Sequence, residues 1–175
     1  MLRSMPACRL LVALTWTALA CTQLGCLQLC YLGQAAYLQD DIRWRARPIE
    51  EVVADKRVSA RTRRLLGLVA SVKHYGEQHG IAPTNNYREF SQLDRPVASW
   101  VVTAAPPLRL EAKTWWFPIV GSVPYLGYAS RRDAERLASD LRGRGYDAYV
   151  RGAGAYSTLG WFADPVLSTM IHGDD

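Results

Sequence analysis

Histidine carries most zinc and general-base chemistry, and this 175-residue chain has three: His74, His79 and His172. The run His74-Tyr-Gly-Glu-Gln-His79 looks like an inverted zinc motif with one residue too many. Five steps of 100° set the two rings about 140° apart around a helix, so they cannot share a metal as an i, i+4 pair does. That spacing predicts surface histidines near a helix end. His172 stands alone, and no H-E-x-x-H occurs in the sequence. Nucleophile chemistry has no better footing. There is no G-x-S-x-G elbow or glycine-rich phosphate loop, and Ser157, Thr158 and Ser168 lack a His or Asp at an interpretable spacing. No catalytic or metal-binding residue is assigned from these 175 residues.

The cysteines have a different meaning. Cys8, Cys21, Cys26 and Cys30 all fall in the first thirty residues, with no C-x-x-C pair and no zinc-ribbon spacing. Residues 1–9 carry Arg3 and Arg9 and no acid, and an apolar run from Leu10 to Ala20 follows. A basic start, a short apolar run and small residues before a cysteine resemble a bacterial lipoprotein signal. Ala18-Leu19-Ala20 before Cys21 suits an apolar signal-peptidase pocket, which makes 1–20 the expected signal peptide. Cys26 follows Leu24-Gly25 but also Gln23, so it is the alternative, with a signal of 1–25. An uncleaved anchor running on through Leu29 competes with both, although Thr22, Gln23 and Gln28 interrupt it. Acyl chains on the first mature cysteine would contribute about 0.8 kcal/mol per buried CH₂, enough in combination to hold the chain on a membrane. Neither Thr22 nor Leu27 is Asp. By resemblance to lipoprotein sorting, that implies the outer membrane, facing the periplasm.

Composition and charge narrow the remaining classes. Half the chain is apolar (49%), 21% is charged, and six Trp and nine Tyr fit a globular domain without disorder or repeats. The formal charge is +5, or +3 once Arg3 and Arg9 leave with the signal. Basic residues cluster only at Lys56, Arg57, Arg61, Arg63 and Arg64, with no interleaved aromatics, so nucleic acid is not an expected partner.

The elements that must position any site read as helices followed by a sheet. Tyr31, Ala35, Leu38 and Ile42 recur at helical spacing, and Pro48 with Glu50 and Glu51 opens a short helix. Ser59 is expected to cap a helix reaching Gln78. Its buried stripe would be Leu65, Leu68, Val69, Val72 and Tyr75, with the Arg cluster on the opposite, solvated face. Residues 99–103, 108–110 and 114–120 read as strands. Ser130-Arg-Arg-Asp133 has the capping-box pattern and opens a helix with Ala134, Leu137, Ala138 and Leu141 on one face. A strand over 146–150 completes a β-α-β unit. Residues 155–162 read as extended, and Asp164-Pro165 as the start of a last helix. The expected fold class is α+β, N-terminal helices followed by a mixed sheet.

Several motifs carry a resemblance. Lys113-Thr-Trp-Trp-Phe-Pro-Ile-Val-Gly121, Ala155-Tyr-Ser-Thr-Leu-Gly-Trp-Phe162 and Asp164-Pro-Val-Leu167 resemble a family of bacterial aminopeptidase lipoproteins, themselves similar to gluzincin metallopeptidases. Arg47-Pro-Ile-Glu-Glu-Val52 and Tyr31-Leu-Gly-Gln-Ala35 extend the likeness over nearly all of 21–175, and in that register Cys26 takes the lipid-bearing place. The resemblance implies the N-terminal part of a zinc aminopeptidase, an incomplete half of a gluzincin-like fold. In the family, H-E-x-x-H follows a segment like Asp164-Pro-Val-Leu167. Its histidines bind zinc and its glutamate is the general base, but the present sequence ends before them. No catalytic or metal residue transfers, and activity would require a longer product or a separately encoded C-terminal half. The resemblance also implies that residues 155–161, with Tyr156, Ser157, Thr158, Leu159 and Gly160, border the cleft for a peptide substrate. A buried strand is the competing reading.

Two further expectations stay open. Residues 120–150 look somewhat like a SPOR-type peptidoglycan-binding repeat, which would make the chain a periplasmic binding module. A remnant of a disrupted gene would leave Val166, Leu167, Met170 and Ile171 exposed.

Overall fold

The computed structural model describes residues 31–117 and 120–171. The signal segment, Cys21, Cys26 and His172 lie outside the described residues. The chain divides into two units, 1–37 and 38–175. Of the first, only 31–37 are described, and they are helical. Helical structure continues to 44 (31–44, α1), as the spacing of Leu38 and Ile42 predicts, and both side chains are buried.

In the second unit a small mixed sheet joins distant parts of the sequence. Strand β1 (Ala46–Pro48) runs antiparallel to β2 (Glu89–Ser91), which pairs in parallel with β8 (Val166–Leu167). Pro48, with φ −51°, ends β1 and caps α2 (Ile49–Ala54), and Glu50 and Glu51 lie in the first turn where the helix dipole favours acids. Ser59 caps α3 (Ala60–Gly67) as expected, its hydroxyl accepting from the Thr62 N–H at 3.0 Å. Val52, Leu66, Phe90 and Val166 form the core between these helices and the sheet.

The single helix expected from Ser59 to Gln78 is two. It breaks at Leu68, between α3 and α4 (Val69–Gln78), directly after Gly67, where a glycine costs about 1 kcal/mol relative to alanine in a helix interior. The expected buried stripe is also corrected. Leu66 is the fully buried residue of α3, α4 buries none, and Leu68, Val72 and Tyr75 are exposed. The cause is coverage: α3 packs on α2, and no described element lies over the outer side of α4.

The second sheet has the order β6-β3-β7, with β3 (Ser99–Ala105) antiparallel to both β6 (Leu126–Tyr128) and β7 (Asp147–Ala153). Helix α5 (Arg131–Gly143) connects β6 to β7, which run the same way on either side of β3, so the expected β-α-β unit is present in split form. Ala134, Ala138 and Leu141 pack with Val102 and Ala104 beneath the helix. Ser130 is the N-cap residue but makes no side-chain cap hydrogen bond, so the capping-box expectation holds for position only. Strands β4 (Trp115–Phe117) and β5 (Gly121–Val123) form a separate antiparallel pair. Helices plus small mixed sheets make the fold α+β.

Three expected elements do not form. Residues 108–110 are loop: Leu108 has φ +59°, and Leu108 and Leu110 are wholly exposed after Pro106-Pro107. Residues 155–158 have no regular structure, and 159–160 are a turn. Asp164-Pro165 opens no helix. Val166 and Leu167 are instead a buried strand beside Phe90 and Ser91, followed by a 3₁₀ turn, Ser168–Met170. Val166 and Leu167 are therefore not exposed, whereas Met170 is.

Candidate functional site

The segment expected to border a cleft is organised by one carboxylate. Asp164 is buried and accepts from the Ser157 hydroxyl at 3.0 Å, the Thr158 N–H at 3.1 Å and the Thr158 hydroxyl at 2.8 Å. The Phe162 N–H donates to Thr158 Oγ1 at 3.1 Å, and the Leu159 N–H donates to Ser157 Oγ at 3.1 Å. Side-chain acceptors thus take the backbone donors that a strand would have paired with a neighbour. Leu159 (φ +56°) and Gly160 (φ +85°) complete the reversal. Tyr156 packs on the core of Leu38, Ile42, Leu93, Ala98 and Leu167, while Leu159, Trp161 and Phe162 are exposed. The Arg43 guanidinium lies 5.0 Å over the Phe162 ring.

Asp164 also anchors the turn to the preceding polar segment. Its N–H donates to Asn86 Oδ1 at 3.0 Å, and its carbonyl accepts from the Tyr87 N–H at 2.7 Å. Lys73 on α4 donates to the Thr84 carbonyl and, at 3.2 Å, to the Asn86 carbonyl, and its Nζ is 3.8 Å from the Glu77 carboxylate. A cavity of about 700 Å³ opens between α2, α4 and residues 83–88, with Glu50, Lys73, His74, Glu77 and Arg88 on its walls. A second, of about 400 Å³, is lined by Asn85, Arg88, Glu89, Ala163 and Asp164. Asn85 and Arg88 border both, so the Asp164 turn and the α4 cavity share a wall. Nothing in the sequence marks that wall beyond the polar, turn-rich character of the segment after Ile81.

The residues here do not fit a zinc ion. His74 Nε2 is 3.0 Å from the Gln78 amide nitrogen, whereas His79 stacks on Tyr75 with ring centroids 4.0 Å apart and has Nδ1 at 2.8 Å from the Tyr75 carbonyl. Both are exposed near the end of α4, as their spacing predicts. Among the described residues no three His, Cys, Asp or Glu side chains are grouped to hold a metal. Glu50 and Glu77 share a cavity with His74 without forming such a group. Among the described residues no helix is long and apolar enough to cross a membrane.

No curated protein and no solved structure matches the chain. Residues 30–175 match the model of the family described as "Putative aminopeptidase". The match takes in every strand and helix described above, and the Asp164 turn. The chain belongs to this aminopeptidase family.

Proposed function

We propose that the chain is the N-terminal portion of a zinc-dependent aminopeptidase and that its 175 residues do not hydrolyse peptides by themselves. The family match over residues 30–175 carries the peptidase reading. The second half of the proposal is supported by the sequence, which has no H-E-x-x-H, and by the divergent partners of His74 and His79. Zinc ligands and a general base would come from polypeptide outside these residues, a longer product or a separately encoded C-terminal half. No step of the reaction is assigned to a residue here. The contribution of this portion would be architectural: the Asp164 turn, with Tyr156, Ser157, Thr158, Leu159 and Gly160, borders the peptide cleft. It would do so through exposed side chains such as Leu159 and not through strand pairing, because the N–H groups of Thr158, Leu159 and Phe162 are already engaged.

The test is an aminoacyl-anilide assay on the purified chain, with and without added zinc, and again after adding a family polypeptide that carries H-E-x-x-H. No turnover alone, and turnover on addition that exceeds that of the added polypeptide by itself, is expected. Zinc-dependent turnover by the 175-residue chain alone refutes the proposal. We further propose that the chain is lipid-anchored in the cell envelope through Cys21, with Cys26 as the competing site, and faces the periplasm from the outer membrane.

A further inference from the structure

Strand β7 (Asp147–Ala153) pairs with β3 along one edge and with no described strand along the other. Ala148 and Val150 pack beneath α5, so Asp147, Tyr149 and Arg151 project from the opposite face, and all three are exposed. The direction of the backbone groups follows from two hydrogen bonds. Ala148 faces Ala104 on β3, yet the Ala148 carbonyl accepts from Arg142 at 2.8 Å and the Ala104 carbonyl from the Lys113 N–H at 2.8 Å. Such a pair is of the non-hydrogen-bonded kind, with its backbone groups turned away from the facing strand. Two residues on, Val150 therefore also directs its N–H and carbonyl outward, where an added strand would meet them.

The side chains of this edge are complementary to themselves. When two copies of β7 run antiparallel about Tyr149, Ala148 of one exchanges backbone bonds with Val150 of the other. Tyr149 then faces Tyr149, and each Asp147 faces an Arg151. These three occupy non-hydrogen-bonded positions, where side chains come closest and where aromatic and opposite-charge pairs favour pairing. Centring the pair on Arg151 would oppose two like charges, and centring it on Val150 would leave Asp147 opposite Ala153, so charge selects the first register. Neither Asp147 nor Arg151 has an ion-pair partner among the described residues, and Tyr149 is 66% exposed.

We propose that the β7 edge is where two copies of this chain associate, joining their β6-β3-β7 sheets into one across a two-fold axis at Tyr149. Main-chain bonds supply the attachment and the Asp147–Arg151 pairs set its register. Arg142 holds the Ala148 carbonyl that Val150 of the second copy would take, so it competes with the pairing and weakens it. The inference does not depend on the peptidase reading.

The test is photo-cross-linking of the full chain in detergent, with Tyr149 replaced by p-benzoylphenylalanine and the linked peptides read by mass spectrometry. Irradiation should join residue 149 to β7 of a second copy, with a yield that rises with protein concentration. Asp147→Arg and Arg151→Asp, both at exposed positions, each set like charges opposite one another and should each lower that yield roughly tenfold below saturation. Mixed in equal amounts, the two variants again present opposite charges and should recover the yield as mixed dimers. Arg142→Ala should raise it. Absence of a cross-link, a cross-link that misses β7, or single variants that link as well as the unaltered chain overturns the proposal. So does failure of the mixture to recover the yield while both variants keep the circular-dichroism spectrum and melting midpoint of the unaltered chain.

Discussion

Thr158 gives both its backbone N–H and its hydroxyl to one buried carboxylate, that of Asp164, at 3.1 and 2.8 Å. Six residues of chain are closed by that pair, and Ser157 adds a third donor. Removing the acceptor leaves partly buried donors without a partner, which costs more than the bonds themselves are worth. Asp164→Ala is expected to lower stability to urea by about 2–3 kcal/mol. Asp164→Asn, which keeps one carbonyl acceptor, should cost less. Equal midpoints for Asp164→Ala and the unaltered chain would show that the turn does not depend on this carboxylate.

Gly154 is held where no side chain fits. A Cβ there would come within 2.6 Å of the Thr169 carbonyl oxygen, and the Thr169 hydroxyl already donates to the Gly154 carbonyl at 2.6 Å. The close approach ties the chain just beyond β7 to the 3₁₀ turn. Gly154→Ala must move backbone, at about 1–3 kcal/mol. Gly127 makes the control, because its Cβ would meet nothing nearer than Ser99 Oγ at 3.6 Å. In thermal melts Gly154→Ala should fall well below Gly127→Ala, and similar midpoints would count against the packing described.

Asp41 sets an acid limit on stability. Burial acts to raise its pKa, but hydrogen bonds from Arg95 at 2.6 Å and Arg45 at 2.7 Å, with their charges, outweigh burial and hold it below the ordinary carboxylate value of 3.8. A carboxylate whose pKa is lowered on folding stabilises the fold above its unfolded pKa, and that stability is lost as pH falls through the folded value. Stability measured by denaturant should therefore drop from about pH 4 downward, and Asp41→Asn should flatten that drop while lowering stability at neutral pH. An unchanged acid slope in Asp41→Asn would remove this residue from the account.

Lipid attachment is tested by labelling cells with an alkyne fatty acid. Cys21→Ser should abolish incorporation and leave the precursor uncleaved, while Cys26→Ser should label normally. The reverse pattern moves the attachment to Cys26, and label retained in the double variant refutes anchoring at either site.

What could be read from the sequence was local. Ser59 announced its helix because capping involves three neighbouring residues, and Ala134, Ala138 and Leu141 marked the inner face of α5 by spacing alone. The errors concern what lies across from a residue. Leu68, Val72 and Tyr75 have the spacing of a buried stripe, but spacing cannot say whether anything covers it. Pro165-Val166-Leu167 suits a helix start, and it became a strand because Phe90 and Ser91, more than seventy residues earlier, offered an edge. Residues 155–162 read as an extended run rich in small residues. The local signal that prevailed was hydroxyl chemistry: Ser157 and Thr158 find Asp164 before any neighbouring strand. His74 and His79 have different partners on α4, and their spacing around a helix is itself a local property.

The most direct test is the metal content of the purified chain. After equilibration with excess zinc and removal of the free ion, elemental analysis should find no stoichiometric zinc, and His74→Ala with His79→Ala should leave the reading unchanged. One zinc ion per chain, lost in those variants, would show that these residues build a metal centre after all.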